Sequence, residues 1–177
     1  MRKFIVISIV LLMLAGFAIT SSAVTLLADQ DVDVGTLTVG VVGTDLVVTY
    51  TITDLEWKLL ETHLYVGYTN PEELTSAPGQ FPYSEEHNPA VFTVTYIISI
   101  SEIDSYKLKG GKKWVVDDEG EPGEIYIAAQ AEIGMIDENG DPVLDPITGL
   151  QIEETAWAEG DEIRSEKNWA MYFEFDE

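Results

Sequence analysis

The chain is 177 residues long, sets 32 acidic side chains against 9 basic ones, and has a formal charge of −23 with no cysteine. That charge excludes a nucleic-acid partner, because affinity for phosphate backbones rests on Lys and Arg displacing counterions. Without cysteine there is no disulfide scaffold, thiolate metal site or cysteine nucleophile, and 46% apolar residues are too many for a disordered acidic tail.

In chain order, Arg2 and Lys3 open a short positive start. Residues 4–19 are apolar except for Ser8, and Ser21-Ser22-Ala23 supplies small residues. This is the layout of a secretory signal peptide. The run approaches the roughly 17 residues that span a bilayer, but small residues follow it and no positive stop-transfer cluster does. The expectation is removal of residues 1–23 and a secreted or cell-surface product with no stable membrane anchoring. The charge then becomes −25, since Arg2 and Lys3 leave with the leader.

Val24, Thr25, Leu26, Leu27 and Ala28 follow, apolar and β-prone, before the polar Asp29-Gln30-Asp31. Two readings fit them. They form the first strand of their own domain, or an arm that adds to a sheet edge of another copy through main-chain hydrogen bonds. Residues 24–33 are therefore expected to be a strand or arm with its hinge, and residues 34–177 a β-domain.

Period-two alternation at 34–39 and a β-branched run at 46–52 flank Gly43 and Asp45, a hairpin signature. Further strands are predicted at 57–60 and 62–68, then a Pro/Gly-rich loop over 70–89. The longest run, 90–100, is followed by a short helical turn within 103–109. Strands at 113–116, 124–133, 151–158 and 168–175 complete the set. About nine strands separated by Gly, Pro, Asn and Asp predict an all-β antiparallel sandwich or jelly roll.

The two imidazoles, His63 and His87, are not near a Gly-flanked serine, and no metalloprotease, P-loop or dinucleotide motif occurs. Glu85, Glu86 and His87 read as a solvated loop ahead of a zinc site. The chain is not expected to be an enzyme. Its acidic clusters carry more information. Asp137, Asn139 and Asp141 place oxygen ligands at alternate positions around Gly140, with Asp145 four residues on. This matches the front of a calcium loop, except that Pro142 replaces the glycine and no bidentate acid follows. Asp29 and Asp31 with Asp33, and Asp117, Asp118 and Glu119, are further groups. Each alone is a solubilising surface. Together their repulsion calls for bound divalent cations, and Ca²⁺ is expected over Mg²⁺, which dehydrates reluctantly.

Trp57, Trp114, Trp157 and Trp169 are either core residues or a sugar-stacking platform. The second option gives an alternative function: a monomeric, calcium-stabilised carbohydrate-binding or adhesion module with glycans as partners.

Six stretches carry a likeness to a known family: residues 33–39 (DVGTLTV), 62–67 (THLYVG), 78–83 (PGQFPY), 126–129 (YIAA), 154–160 (ETAWAEG) and 168–173 (NWAMYF). Together the chain resembles the cannula subunits of hyperthermophilic archaea, exported proteins that polymerise into hollow extracellular tubes. The resemblance implies a jelly-roll subunit whose partners are other copies of itself, assembling with calcium by donating an N-terminal strand. Here that strand falls within residues 24–32.

Overall fold

The structure, a computed structural model, describes residues 21–74, 76–109, 113–116, 123–163 and 169–176. It is all-β. The strands are β1 (Ser21–Ala28), β2 (Val32–Val42), β3 (Asp45–Ile52), β4 (Trp57–Gly67), β5 (Tyr83–Val91), β6 (Thr93–Ser99), β7 (Tyr106–Lys109), β8 (Lys113–Val116), β9 (Ile125–Met135), β10 (Glu153–Ala158), β11 (Asp161–Glu162) and β12 (Met171–Phe175). Short 3₁₀ turns interrupt them at Pro71–Glu73, Pro78–Gln80 and Ile100–Glu102.

Ten strands form one antiparallel sheet that curls almost into a barrel, and β7 and β8 pair as a separate hairpin. One path through the sheet runs β11-β12-β9-β10-β1-β2-β3-β6. Strand β9 is long enough to share one edge between β12, at residues 125–127, and β10, at residues 130–134. Its other edge pairs with β4, and β5 lies outside β4.

Alternation decides what each strand buries. In β3, Leu46, Val48, Tyr50 and Ile52 point inward, and Leu37, Leu59, Leu64, Ile127 and Ile133 meet them in one core cluster. Each such side chain contributes about 1.5–3 kcal/mol when fully buried. A second cluster lies on the opposite face of the sheet. There Tyr65 of β4, Ala128 of β9 and Trp157 of β10 are covered by Leu74, Phe81, Ile163 and Met171.

Four sequence expectations change. The single strand predicted over 90–100 breaks at Phe92, whose carbonyl accepts from Ile52 N at 2.8 Å as the chain passes from β5 to β6. The helical turn expected within 103–109 is the strand β7. The loop expected to reach residue 89 ends sooner, because β5 starts at Tyr83. The two short strands separated at Glu61 are one strand, β4, whose register shifts between Leu59 and Glu61.

Candidate assembly strand and acidic loops

Strand β1 is not a free arm in this single chain. It lies between β2, paired from Ser21↔Gly40 to Ala28↔Val32 with a register shift between Leu26 and Leu27, and β10, at Leu26↔Ala158 to Ala28↔Ala156. Glu159 N adds a bond to Thr25 O at 2.8 Å. Val24, Leu26 and Ala28 face the main core, while Leu27 packs on the second cluster. Burial on both faces explains why this segment reads as a continuous apolar run rather than an alternating one. The expected leader lies outside the described residues up to residue 20; a cut after Ala23 would leave Val24 to Ala28 as the body of this strand.

The hinge is tight. Asp31 N donates to Ala28 O at 3.2 Å, and the two residues between them have φ of 45° at Asp29 and 76° at Gln30. Asp tolerates the left-handed region because its short side chain bonds locally. Gln has no such compensation and costs roughly 1–2 kcal/mol there. Asp29 and Asp31 are both exposed at this turn. Asp33 is engaged in β2, its carboxylate accepting from Gly35 N at 3.1 Å.

The structure brings Asp137, Asn139 and Asp141 into one turn and places Asp145 in the next. Asp137 Oδ1 accepts from the backbone N–H of Asn139 (2.8 Å) and of Asp141 (2.9 Å), and Oδ2 from the Asn139 amide (3.2 Å). These donors hold the Asp137 carboxyl below the usual carboxylate range, led by the bond from Asp141. Asp145 Oδ1 likewise accepts from Ile147 N (3.0 Å) and Thr148 N (2.7 Å), which lowers its pKa, Thr148 foremost. The Lys58 side chain also reaches this region, with its ammonium beside Gly140 and 5.1 Å from the centre of the Phe92 ring.

Both carboxylates thus cap their own turns, and among the described residues no three acidic or histidine side chains of one chain gather around a common point. Asp117, Asp118 and Glu119 lie outside the described residues. What the described residues offer a cation is the exposed carboxylates of Asp29, Asp31 and Asp141, with Asp137 and Asp145 engaged in their own turns.

His63 lies in a strand as its sequence pattern indicates, whereas His87, read as part of a loop, lies in a strand too. His87 belongs to β5, where Thr62 Oγ1 lies 3.0 Å from its Nε2 and 2.7 Å from the Tyr96 hydroxyl. Burial lowers the His87 pKa, with Glu85 and Glu61 opposing. His63 Nε2 lies 3.0 Å from Glu61 Oε1, and its buried Nδ1 has no partner, nor has Oε1 of Gln130 opposite it on β9. A β-strand pattern signals which face a histidine takes, but not which neighbour it meets. Of the tryptophans, Trp157 is buried with Trp169 edge-on at 6.5 Å, and Trp57 packs partly buried against the main core. The Trp114 side chain lies outside the described residues.

Comparison of the chain with protein-family models, with curated proteins and with solved structures finds no match.

Proposed function

We propose that this chain is an exported structural subunit that polymerises with copies of itself into an extracellular filament or tube. Subunits exchange β1, and Ca²⁺ shared between acidic clusters of adjacent copies offsets their repulsion. The observation that carries the reading is the hinge. The first described strand, terminal once the leader is removed, fills a slot in its own sheet and hangs on a two-residue turn with left-handed backbone at Asp29 and Gln30. Opening the turn releases that strain. The same strand then fills the same slot in a neighbour, so the packing it leaves in one subunit is restored in the next. Exchange in one direction is a heterologous contact, and one that does not close on itself propagates a filament.

Electrostatics decides when this happens. Chains of charge −25, the value once residues 1–23 are removed, repel one another, and salt screens the repulsion only beyond about 8 Å at physiological ionic strength. Divalent ions at the contact remove it at short range. Because Asp137 and Asp145 already cap their own turns, the ion completes its shell with oxygens from the neighbouring copy.

The test is light scattering and electron microscopy of the protein from Val24 onward, with chelator and then with calcium at about 1 mM, the range of extracellular calcium modules. Scattering is expected to rise with calcium, elongated particles to appear, and chelator to reverse both. A wild-type protein that stays unassembled in calcium overturns the proposal.

A further inference from the structure

Two of the sheet's outer edges, β5 and β6, are defended unequally. Strand β5 carries Glu85, Glu86 and Pro89, and charges and proline are the usual protection of an exposed edge. Strand β6 has neither, and residues 90–101 contain no charged side chain. Ile52 N donates to Phe92 O and Ile100 N to Thr44 O. The β3–β6 register therefore turns the peptide groups of Val94, Tyr96 and Ile98 towards β3. Those of Thr93, Thr95 and Ile97 point the other way, where no strand pairs with them among the described residues.

The threonine rows beside this edge are also uncharged, and the one acid of β3 on that face, Asp45, stands at its far end opposite Ser99. Register places Thr25, Thr36, Thr51 and Thr93 in one row across β1, β2, β3 and β6. The next row holds Thr38, Thr49 and Thr95, with the last two hydroxyls 3.0 Å apart. Ile97, beyond them on the edge, is 69% exposed.

We propose that β6 is a docking edge for β6 of a second copy, the two strands pairing antiparallel about a twofold axis. Charge selects that partner. On a strongly acidic chain, a second copy meets like charges at the β5 edge but none along β6 or the threonine rows beside it, and like charges set opposite one another destabilise a strand pair. Main-chain bonds from Thr93, Thr95 and Ile97 supply the affinity, as in strand addition generally. The contact is isologous and closes as a dimer. It differs from β1 exchange, needs no calcium, and within a filament would join subunits sideways.

The test is sedimentation velocity of the protein from Val24 onward in chelator, up to about 100 μM, well above the dissociation constant of a specific contact. A dimer is expected. Ile97→Lys adds charge at an exposed position, and Thr95→Pro removes an N–H that serves no bond within the subunit. Each should weaken dimerisation at least tenfold while circular dichroism and the melting temperature show the fold retained. A wild-type protein that is monomeric throughout overturns the proposal, as does a dimer that both variants leave unchanged. Calcium-dependent scattering, read separately, reports on β1 exchange alone.

Discussion

The Tyr50 hydroxyl, fully buried on β3, donates to the main-chain carbonyl of His63 on β4 at 2.9 Å. The bond ties together two strands that are not neighbours in the sheet, across the interior of the curled body. Burial raises the Tyr50 pKa well above that of an exposed phenol, with Tyr96 adding to the effect, which favours the protonated donor. Tyr50→Phe should destabilise the protein by about 1 kcal/mol, the usual net worth of such a bond. Urea denaturation followed by tryptophan fluorescence measures the change.

Gln30→Gly tests the hinge. Glycine adopts positive φ without penalty, so the closed monomer should gain about 1 kcal/mol. The same substitution removes the strain that favours opening, and calcium-induced scattering should rise more slowly than in wild type. A stabilised monomer that polymerises at an unchanged rate would separate the hinge from assembly.

Gly35→Ala tests the slot. A Cβ at Gly35 would overlap the Thr51 carbonyl oxygen, and β2 is the strand against which β1 registers at this point. Backbone cannot yield as a flexible side chain does, so a loss of about 1–3 kcal/mol is expected, read as a lower melting temperature.

His87 sets a pH dependence. Its folded pKa lies below the ordinary value of about 6.5, so the unfolded chain takes up the proton first. Stability held above that value is lost as pH falls from about 6.5 through the lower folded pKa. His87→Gln should flatten this part of the stability profile, measured by urea denaturation at pH values of about 7.5 and about 5.5, on either side of the ordinary imidazole value. Equal slopes in the two proteins would assign the dependence to other groups.

Much of the fold is legible from alternation. Leu46, Val48, Tyr50 and Ile52 announce β3 and its buried face directly, and the hairpin at Gly43 follows from turn chemistry. Register is not legible in the same way. Glu61 looks like the end of a strand, yet it sits at a bulge inside β4, since a register shift tolerates a polar residue that regular pairing on a buried face would not. Phe92 looks like the middle of a strand, yet the chain changes partners there, and only Ile52 on a distant strand supplies the reason. The acidic candidates divide similarly. The spacing of Asp137, Asn139 and Asp141 does indicate a shared turn. It does not indicate that the turn's own N–H groups occupy Asp137, because those donors carry no sequence signature. The strand at Val24 to Ala28 is apolar on both faces because Leu27 and Leu26 serve different clusters, a distinction that periodicity alone does not draw.

The pairing of β1 with β10 joins Leu26 to Ala158, the first described strand to one near the end of the chain. At synthesis rates of about 5–20 residues per second, on the order of ten seconds separates their emergence. Hairpins β1–β2 and β2–β3 close within microseconds of becoming available, so for nearly all of that interval the far side of β1 faces an absent partner. A growing polypeptide in this state is a template with one vacant lane.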